Sequence, residues 1–172
     1  MKKFYDKLVK TRHHLHQHPE LSGQEYETTA FLSRYLQDLG IKILDSGLET
    51  GLIAEIGQGE PVIALRADID ALPIIEQTGL PYASQNPGVM HACGHDFHQT
   101  SLLGAAELLK AMEEDLQGTI RLIFQPTEET SQGASQVLAT GLLDDVVAII
   151  GFHNMPQLKA GQLALKPGAM MA

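Results

Sequence analysis

Apolar residues recur along this chain first at helical and then at strand spacing. Phe4, Leu8, Val9 and Leu15 follow a helical period that stops at Pro19, so residues 2–18 predict an amphipathic helix. Ser22 followed by Glu25 forms a capping-box pattern, and Phe31, Leu32, Tyr35, Leu36 and Leu39 supply the apolar face of a second helix ended by Gly40. Short β-branched or Leu-rich runs at 41–44, 52–56 and 62–65, each bounded by Gly or Pro, predict strands. Residues 73–90 are dense in Pro, Gly, Ser, Asn and Gln and predict a loop, longer than a compact domain usually carries without a function. A third helix is expected from about Asp96 to Met112, with Leu102, Leu103, Ala106 and Leu109 on one face. A strand at 119–124, a fourth helix at 133–139, and strands at 146–152 and 162–166 complete the pattern. Helices alternating with near-continuous apolar strands, such as 146–150, argue an α/β fold whose sheet is covered by helices on both faces.

Composition narrows the partners. At 172 residues the chain amounts to about one domain, large enough to bury a core without disulfides or structural metals. Lys+Arg 12 against Asp+Glu 21 leaves a formal net charge of −9, which argues against nucleic acid because phosphate neutralisation needs a basic surplus. The longest apolar run, 146–152, falls far short of the roughly 20 residues that span a bilayer, so no membrane partner is expected. Met1-Lys2-Lys3 leads into Asp6, Lys7, Lys10 and Arg12 rather than an apolar stretch, which does not support export. One cysteine, Cys93, allows no intrachain disulfide and fits a reducing cytoplasm.

Candidate chemistry concentrates at strand and loop ends. His91-Ala92-Cys93-Gly94-His95-Asp96-Phe97-His98 places a thiol, three imidazoles and a carboxylate within one short segment at a loop-to-helix junction. Thiolate and neutral imidazole bind borderline-soft divalent metals such as zinc; a lone cysteine or histidine would instead read as a buried or capping residue. Glu128-Glu129 follows the fourth predicted strand and Pro126, at the strand end where α/β sheets place active sites. Alone, such a pair is an ordinary solvated helix start. His153 follows the next strand in the same way. The convergence of three ends carries the argument, and Asp68 and Asp70 add a fourth, as partners that orient an imidazole rather than primary ligands. The remaining histidines, His13, His14, His16 and His18, lie on the first helix and favour a surface or structural role, although the i, i+4 pair His14/His18 can chelate.

At these residues the sequence resembles the amidohydrolase branch of the aminoacylase/carboxypeptidase-type metallopeptidases, which includes hippurate hydrolases, N-acyl-amino acid amidohydrolases and auxin-conjugate hydrolases. The matching segments are Leu15-His16-Gln17-His18-Pro19-Glu20-Leu21, residues 65–73 (LRADIDALP), residues 90–96 (MHACGHD), Gln125-Pro126-Thr127-Glu128-Glu129 and Gly151-Phe152-His153, in family order. The resemblance implies a zinc-exopeptidase-like catalytic domain with a mixed, largely parallel sheet. It implies a two-metal site in which Cys93 bridges or ligates, His95 and His153 ligate one metal, and Glu129 ligates the other. Glu128 would be the general base and Asp70 a supporting catalytic carboxylate. The substrate would be a small N-acyl-amino acid, and zinc, manganese, cobalt or nickel all suit the mixed S/N/O donors.

The same resemblance implies that residues 1–166 are the N-terminal part of an incomplete catalytic domain and that 167–172 begin a lid domain. No histidine follows His153, so the family's lid histidine and last ligand are missing. The expectation is an N-terminal fragment inactive alone, which holds one metal or none and self-associates through apolar surface left bare. The alternatives from other classes are a non-catalytic truncated α/β domain and a structural-zinc module. Structural zinc usually draws on two close ligand pairs, and one convincing pair is present.

Overall fold

The strands β1 (Lys42–Ile43), β2 (Leu52–Gln58), β3 (Val62–Asp68), β4 (Gly118–Gln125) and β5 (Val146–Gly151) form one sheet in the order β1-β2-β4-β3-β5. This is seen in a computed structural model, which describes residues 2–165. β3 runs parallel to β4 and β5, whereas β2 runs antiparallel to both β4 and β1. In register, Asp68 lies opposite Gln125 and Arg66 opposite Gly151. The segments that leave β3, β4 and β5 therefore emerge along a single edge of the sheet, the position where parallel sheets carry their sites.

Strand alternation divides the core in two. Leu52, Ala54 and Ile56 of β2, with Leu122 and Phe124 of β4, face α2 (Tyr26–Asp38) and α3 (His95–Ala111) through Leu32, Leu36, Leu102, Leu103 and Ala106. The opposite pleat, Ile53, Ala64 and Ile123, packs on Val137 of α4 (Gly133–Ala139). α1 (Lys2–Gln17) lies on α3, where a Cβ at Gly104 would sit 2.9 Å from Leu8 Cδ1; the absent side chain lets the two helices approach. The expected mixed α/β architecture is present, and apart from the strand expected at 162–166 the strands and helices lie where the hydrophobic pattern put them, with one added 3-10 turn at Glu113–Asp115. Residues 73–90 form a loop, closed at its base by the isolated bridge between Leu72 and Met90.

Four expectations differ from the structure. The Ser22/Glu25 capping box does not form, because both side chains serve longer-range partners: Ser22 donates to Asp70 and Glu25 accepts from Thr50. Glu20 caps α2 in their place, accepting the backbone N–H groups of Glu27 and Thr28 at 3.2 and 2.7 Å. β5 is an exposed edge rather than a strand covered on both faces, with Val147 71%, Ile149 57% and Ile150 60% accessible. Residues 162–165 form no strand, since no neighbouring strand offers them a ladder among the described residues, and Leu163 and Leu165 are bare. Lys166 and the expected lid start at 167–172 lie outside the described residues.

The fourth concerns His16, which is buried rather than on the helix surface. Its Nδ1 donates to Asp96 Oδ2 at 2.8 Å, an oxygen also 2.8 Å from Arg12 Nε, and its Nε2 lies 3.2 Å from Glu76. His13 stacks on Tyr82 at 3.7 Å. α1 is thus pinned to the start of α3 and to the long loop. The Asp96 hydrogen bond, opposed by burial and helped by Glu76, raises the His16 pKa above 6.5. A raised folded value means that this stabilisation is fully present below pH 6.5 and fades as pH rises through the folded pKa. In chemical denaturation, His16→Gln should cost about 2 kcal/mol at pH 6 and clearly less at pH 9; an equal cost at both would contradict a charged His16.

Candidate metal centre

Four chain segments converge at the edge where β3, β4 and β5 end. Asp68 closes β3 and Asp70 follows it; Glu128-Glu129 follow β4; His153-Asn154 follow β5; Cys93 and His95 flank Gly94 at the start of α3. Gly94 has a φ of 85°, and a Cβ there would lie 2.5 Å from Asn154 Oδ1. Glycine is required at this position for the left-handed turn and for the close approach of the His153 segment.

The imidazoles are set to present Nε2. His95 Nδ1 donates to the Asp70 carbonyl at 2.9 Å, and His153 Nδ1 donates to the Asn154 carbonyl at 2.8 Å. A carbonyl only accepts, so each ring carries its proton on Nδ1 and leaves a lone pair on Nε2. His153 Nε2 lies 3.3 Å from Cys93 Sγ. His95 Nε2 is buried without a hydrogen-bond partner, and so is Glu129 Oε1, 3.7 Å away. Glu128 Oε2 and Asp68 Oδ1 lie 3.8 and 3.6 Å from the same nitrogen. These separations are too long for hydrogen bonds, but two donors each about 2.1 Å from one cation lie about 3.4 Å apart. Orphaned buried donors at that spacing fit a divalent metal.

Charge points the same way. Burial, then the carboxylates of Glu129, Asp68 and Glu128, push the Cys93 thiol up to about 11. Burial, with Glu128 and Asp70 alongside, also raises Glu129 against the opposing pull of His95. Burial disfavours the Asp68 carboxylate, yet the His98 hydrogen bond and the charges of His95 and Arg66 hold its pKa down to about 2. An edge that gathers four carboxylates and a thiol calls for a cation.

The expected residues are brought together. The ligand atoms of Cys93, His95 and His153 lie within 4.8 Å of one another, as do those of His95, Glu128 and Glu129. Asp70 sits behind this group: its Oδ2 accepts from Ser22 Oγ at 2.6 Å and from the Glu129 backbone N–H at 2.9 Å, while its carbonyl orients His95. Asp68 and His98 complete a third cluster with His95, but their mutual hydrogen bond at 2.7 Å already engages them. His98, unassigned by the sequence reading, ties β3 to the β5 loop, since the Asn154 backbone N–H donates to its Nε2 at 3.0 Å. Asn154 was not anticipated, and its adjacency to His153 was the available signal. His91 is buried with neither ring nitrogen paired, and burial pushes its pKa down to about 4. His14 and His18 sit away from the centre on a cleft of about 310 Å³ between α1 and α2, their rings 4.7 Å apart.

The sequence pattern of peptidase family M20/M25/M40 matches residues 64–168, a span that holds every donor named above. The chain belongs to that family. Among members of the M20 family, it is 56% identical over 167 residues to an N-acetyl-L-cysteine deacetylase of Bacillus subtilis (strain 168), covering 96% of this chain and 40% of that protein. It is 45% identical over 170 residues to an IAA-amino acid hydrolase of Arabidopsis thaliana, covering 98% and 39%. The solved structure of a Bacillus subtilis dinuclear metal-binding M20 peptidase superposes with a TM-score of 0.95 at 54% identity, over 98% of this chain and 48% of that one. The chain thus spans less than half the length of the relatives it matches. Metal analysis after dialysis checks the donor assignment: Cys93→Ala should lower bound metal about 10-fold or more, Glu129→Ala should lose only the more weakly held share, and Glu128→Ala should leave it near wild type.

Proposed function

We propose that this chain carries most of the dinuclear metal site of an M20 amidohydrolase that hydrolyses the amide bond of N-acyl-amino acids. The observation that carries the reading is the pair of buried, unpartnered atoms His95 Nε2 and Glu129 Oε1, beside a Cys93–His153 pair whose imidazole also presents Nε2. The relatives whose names specify N-acetyl-L-cysteine and IAA-amino acid substrates supply the substrate class. Cys93, His95 and His153 would hold one cation and Glu129 the other, with Cys93 placed to bridge. When bound, two divalent cations supply the Lewis acidity that activates water and polarises the amide carbonyl. Zinc, manganese, cobalt and nickel all suit this donor set. A reducing, cytoplasmic setting suits a centre that depends on a free thiol.

Glu128 supplies the proton chemistry. Its side chain is 40% exposed against 20% for Glu129, so it is the carboxylate more open to solvent. The adjacent positions divide the labour: the more buried carboxylate stays with the metal and the more open one stays free to exchange a proton. Glu128 takes a proton from the attacking water as its oxygen bonds to the carbonyl carbon, and returns it to the amide nitrogen as the C–N bond breaks. Carboxylate and free amine are the products. Asp70 has a supporting role, orienting His95 through its carbonyl and fixing the Glu129 backbone through its carboxylate.

The donors are unevenly shared, and this supports the second reading, already expected from the sequence, in which the span is inactive alone. Among the described residues one cation would gain a sulfur and two nitrogens, while the other would rely on Glu129 and a shared Cys93. This span would then hold one metal firmly without turning over substrate. Assay with N-acetyl- and N-benzoyl-amino acids tests the first reading. Metal-loaded protein should release free amino acid, and Glu128→Ala should lose about 10²–10⁴-fold in kcat while retaining metal. Undiminished turnover in that variant would remove Glu128 as the base; metal-loaded wild type with no turnover would favour the second reading.

A further inference from the structure

Thr127, immediately before Glu128-Glu129, has a φ of 50°. A β-branched residue rarely enters this left-handed region, and it persists there only where its surroundings hold it. Both of its backbone polar groups are held. The carbonyl accepts the N–H groups of Gln132 and Gly133 at 3.2 Å each, and the N–H donates to Glu25 Oε1 at 2.8 Å. Glu25 is fully buried, and its other oxygen accepts the Thr50 hydroxyl at 2.8 Å. Two residues further on, the Glu129 N–H donates to Asp70 Oδ2 at 2.9 Å. Two buried carboxylates, far apart in sequence, thus take the alternate backbone amides on either side of Glu128.

A carboxylate without solvent exposure is costly to bury unless its acceptors are used, and an apolar residue would fill the same space at lower cost. The Glu25 carboxylate hydrogen-bonds Thr50 and Thr127 rather than any candidate ligand. Its contacts go to the strained residue that leads into them and to Thr50 at the approach to β2. We propose that Glu25 is a positioning residue. By accepting the Thr127 N–H it holds the turn in its left-handed conformation and so keeps Glu128 and Glu129 within 4 Å of His95 Nε2, at 3.8 and 3.7 Å. Without that acceptor Thr127 relaxes toward an ordinary backbone region, and the two following side chains are re-aimed. The role rests on the metal-centre reading above, which it extends to a residue outside the matched span of 64–168.

Cobalt(II) titration tests this, with the first and second equivalents resolved by equilibrium dialysis and the thiolate-to-metal absorption of Cys93 reporting that the centre loads. Glu25→Met removes the acceptor and should weaken the cobalt equivalent that relies on Glu129 about 10–100-fold, the range typical when an outer partner of a ligand is lost, while leaving the equivalent held by Cys93, His95 and His153 in place. Glu25→Gln keeps one oxygen for the Thr127 N–H, and its amide can donate to the Thr50 oxygen, so it should stay close to wild type. Glu25→Met should add almost nothing to Glu129→Ala, because both act through the same carboxylate. Should Glu25→Met fail to fold, Glu25→Met/Thr50→Val replaces both partners with apolar groups and is read the same way. Wild-type affinity in the folded Met variant, a Gln variant as weak as Met, or losses that add fully to Glu129→Ala would each overturn the positioning role. A wild type that shows no thiolate band would instead overturn the metal centre on which it rests.

Discussion

A buried imidazole presents a fixed Nε2 lone pair to a cation when its Nδ1–H is engaged elsewhere, which sets the tautomer and the ring orientation. In this chain the hydrogen bond from His95 Nδ1 to the Asp70 carbonyl does this, and the rest of the site is arranged around it. The bond can form because β3 and β4 run parallel in register and deliver residues 68–70 and 125–129 to one level. α3 begins there after a glycine turn that no other residue would make without strain. With Nδ1 engaged, Nε2 faces Glu129, Glu128 and Asp68 at distances that suit a shared cation and not one another. His153 repeats the device with the carbonyl of Asn154.

The supporting contacts are mostly backbone amides and carbonyls held by buried carboxylates and imidazoles. Asp70 holds the Glu129 amide, Glu25 holds the Thr127 amide, and His98 holds the Asn154 amide while bonded to Asp68. Each joins segments distant in sequence, so the site is a crossing point of the fold rather than a local motif. Like charges collected in a buried space oppose folding unless they are paired or bound to a cation. The unpartnered atoms of His95 and Glu129 are where that pairing is incomplete.

Much of this was legible in the sequence because the signals were local. Helix and strand periods located the elements, and Cys93, His95, Glu128, Glu129 and His153 each stood at a predicted element end. What escaped were choices between local and distant partners. Ser22 and Glu25 have the spacing of a helix cap, yet Asp70, Thr50 and Thr127 take both side chains. His16 lies in a histidine-rich, polar-looking stretch, but the buried Asp96 and the ordered loop draw it inward. The apolar run of β5 reads like a central strand and lies at an edge, because hydrophobicity records that a surface avoids water and not which element covers it. Glu20 lies in a matched segment and Asn154 beside His153, but neither position announces the backbone or imidazole partner it takes.

The chemistry of this site turns on whether Cys93 and the two Nε2-presenting histidines hold a metal together. Zinc-edge X-ray absorption on zinc-loaded protein tests it most directly. A sulfur shell at about 2.3 Å is expected beside nitrogen or oxygen neighbours at about 2.0–2.1 Å, with the sulfur shell lost in Cys93→Ala. A spectrum with nitrogen and oxygen neighbours alone, unchanged by Cys93→Ala, would contradict it.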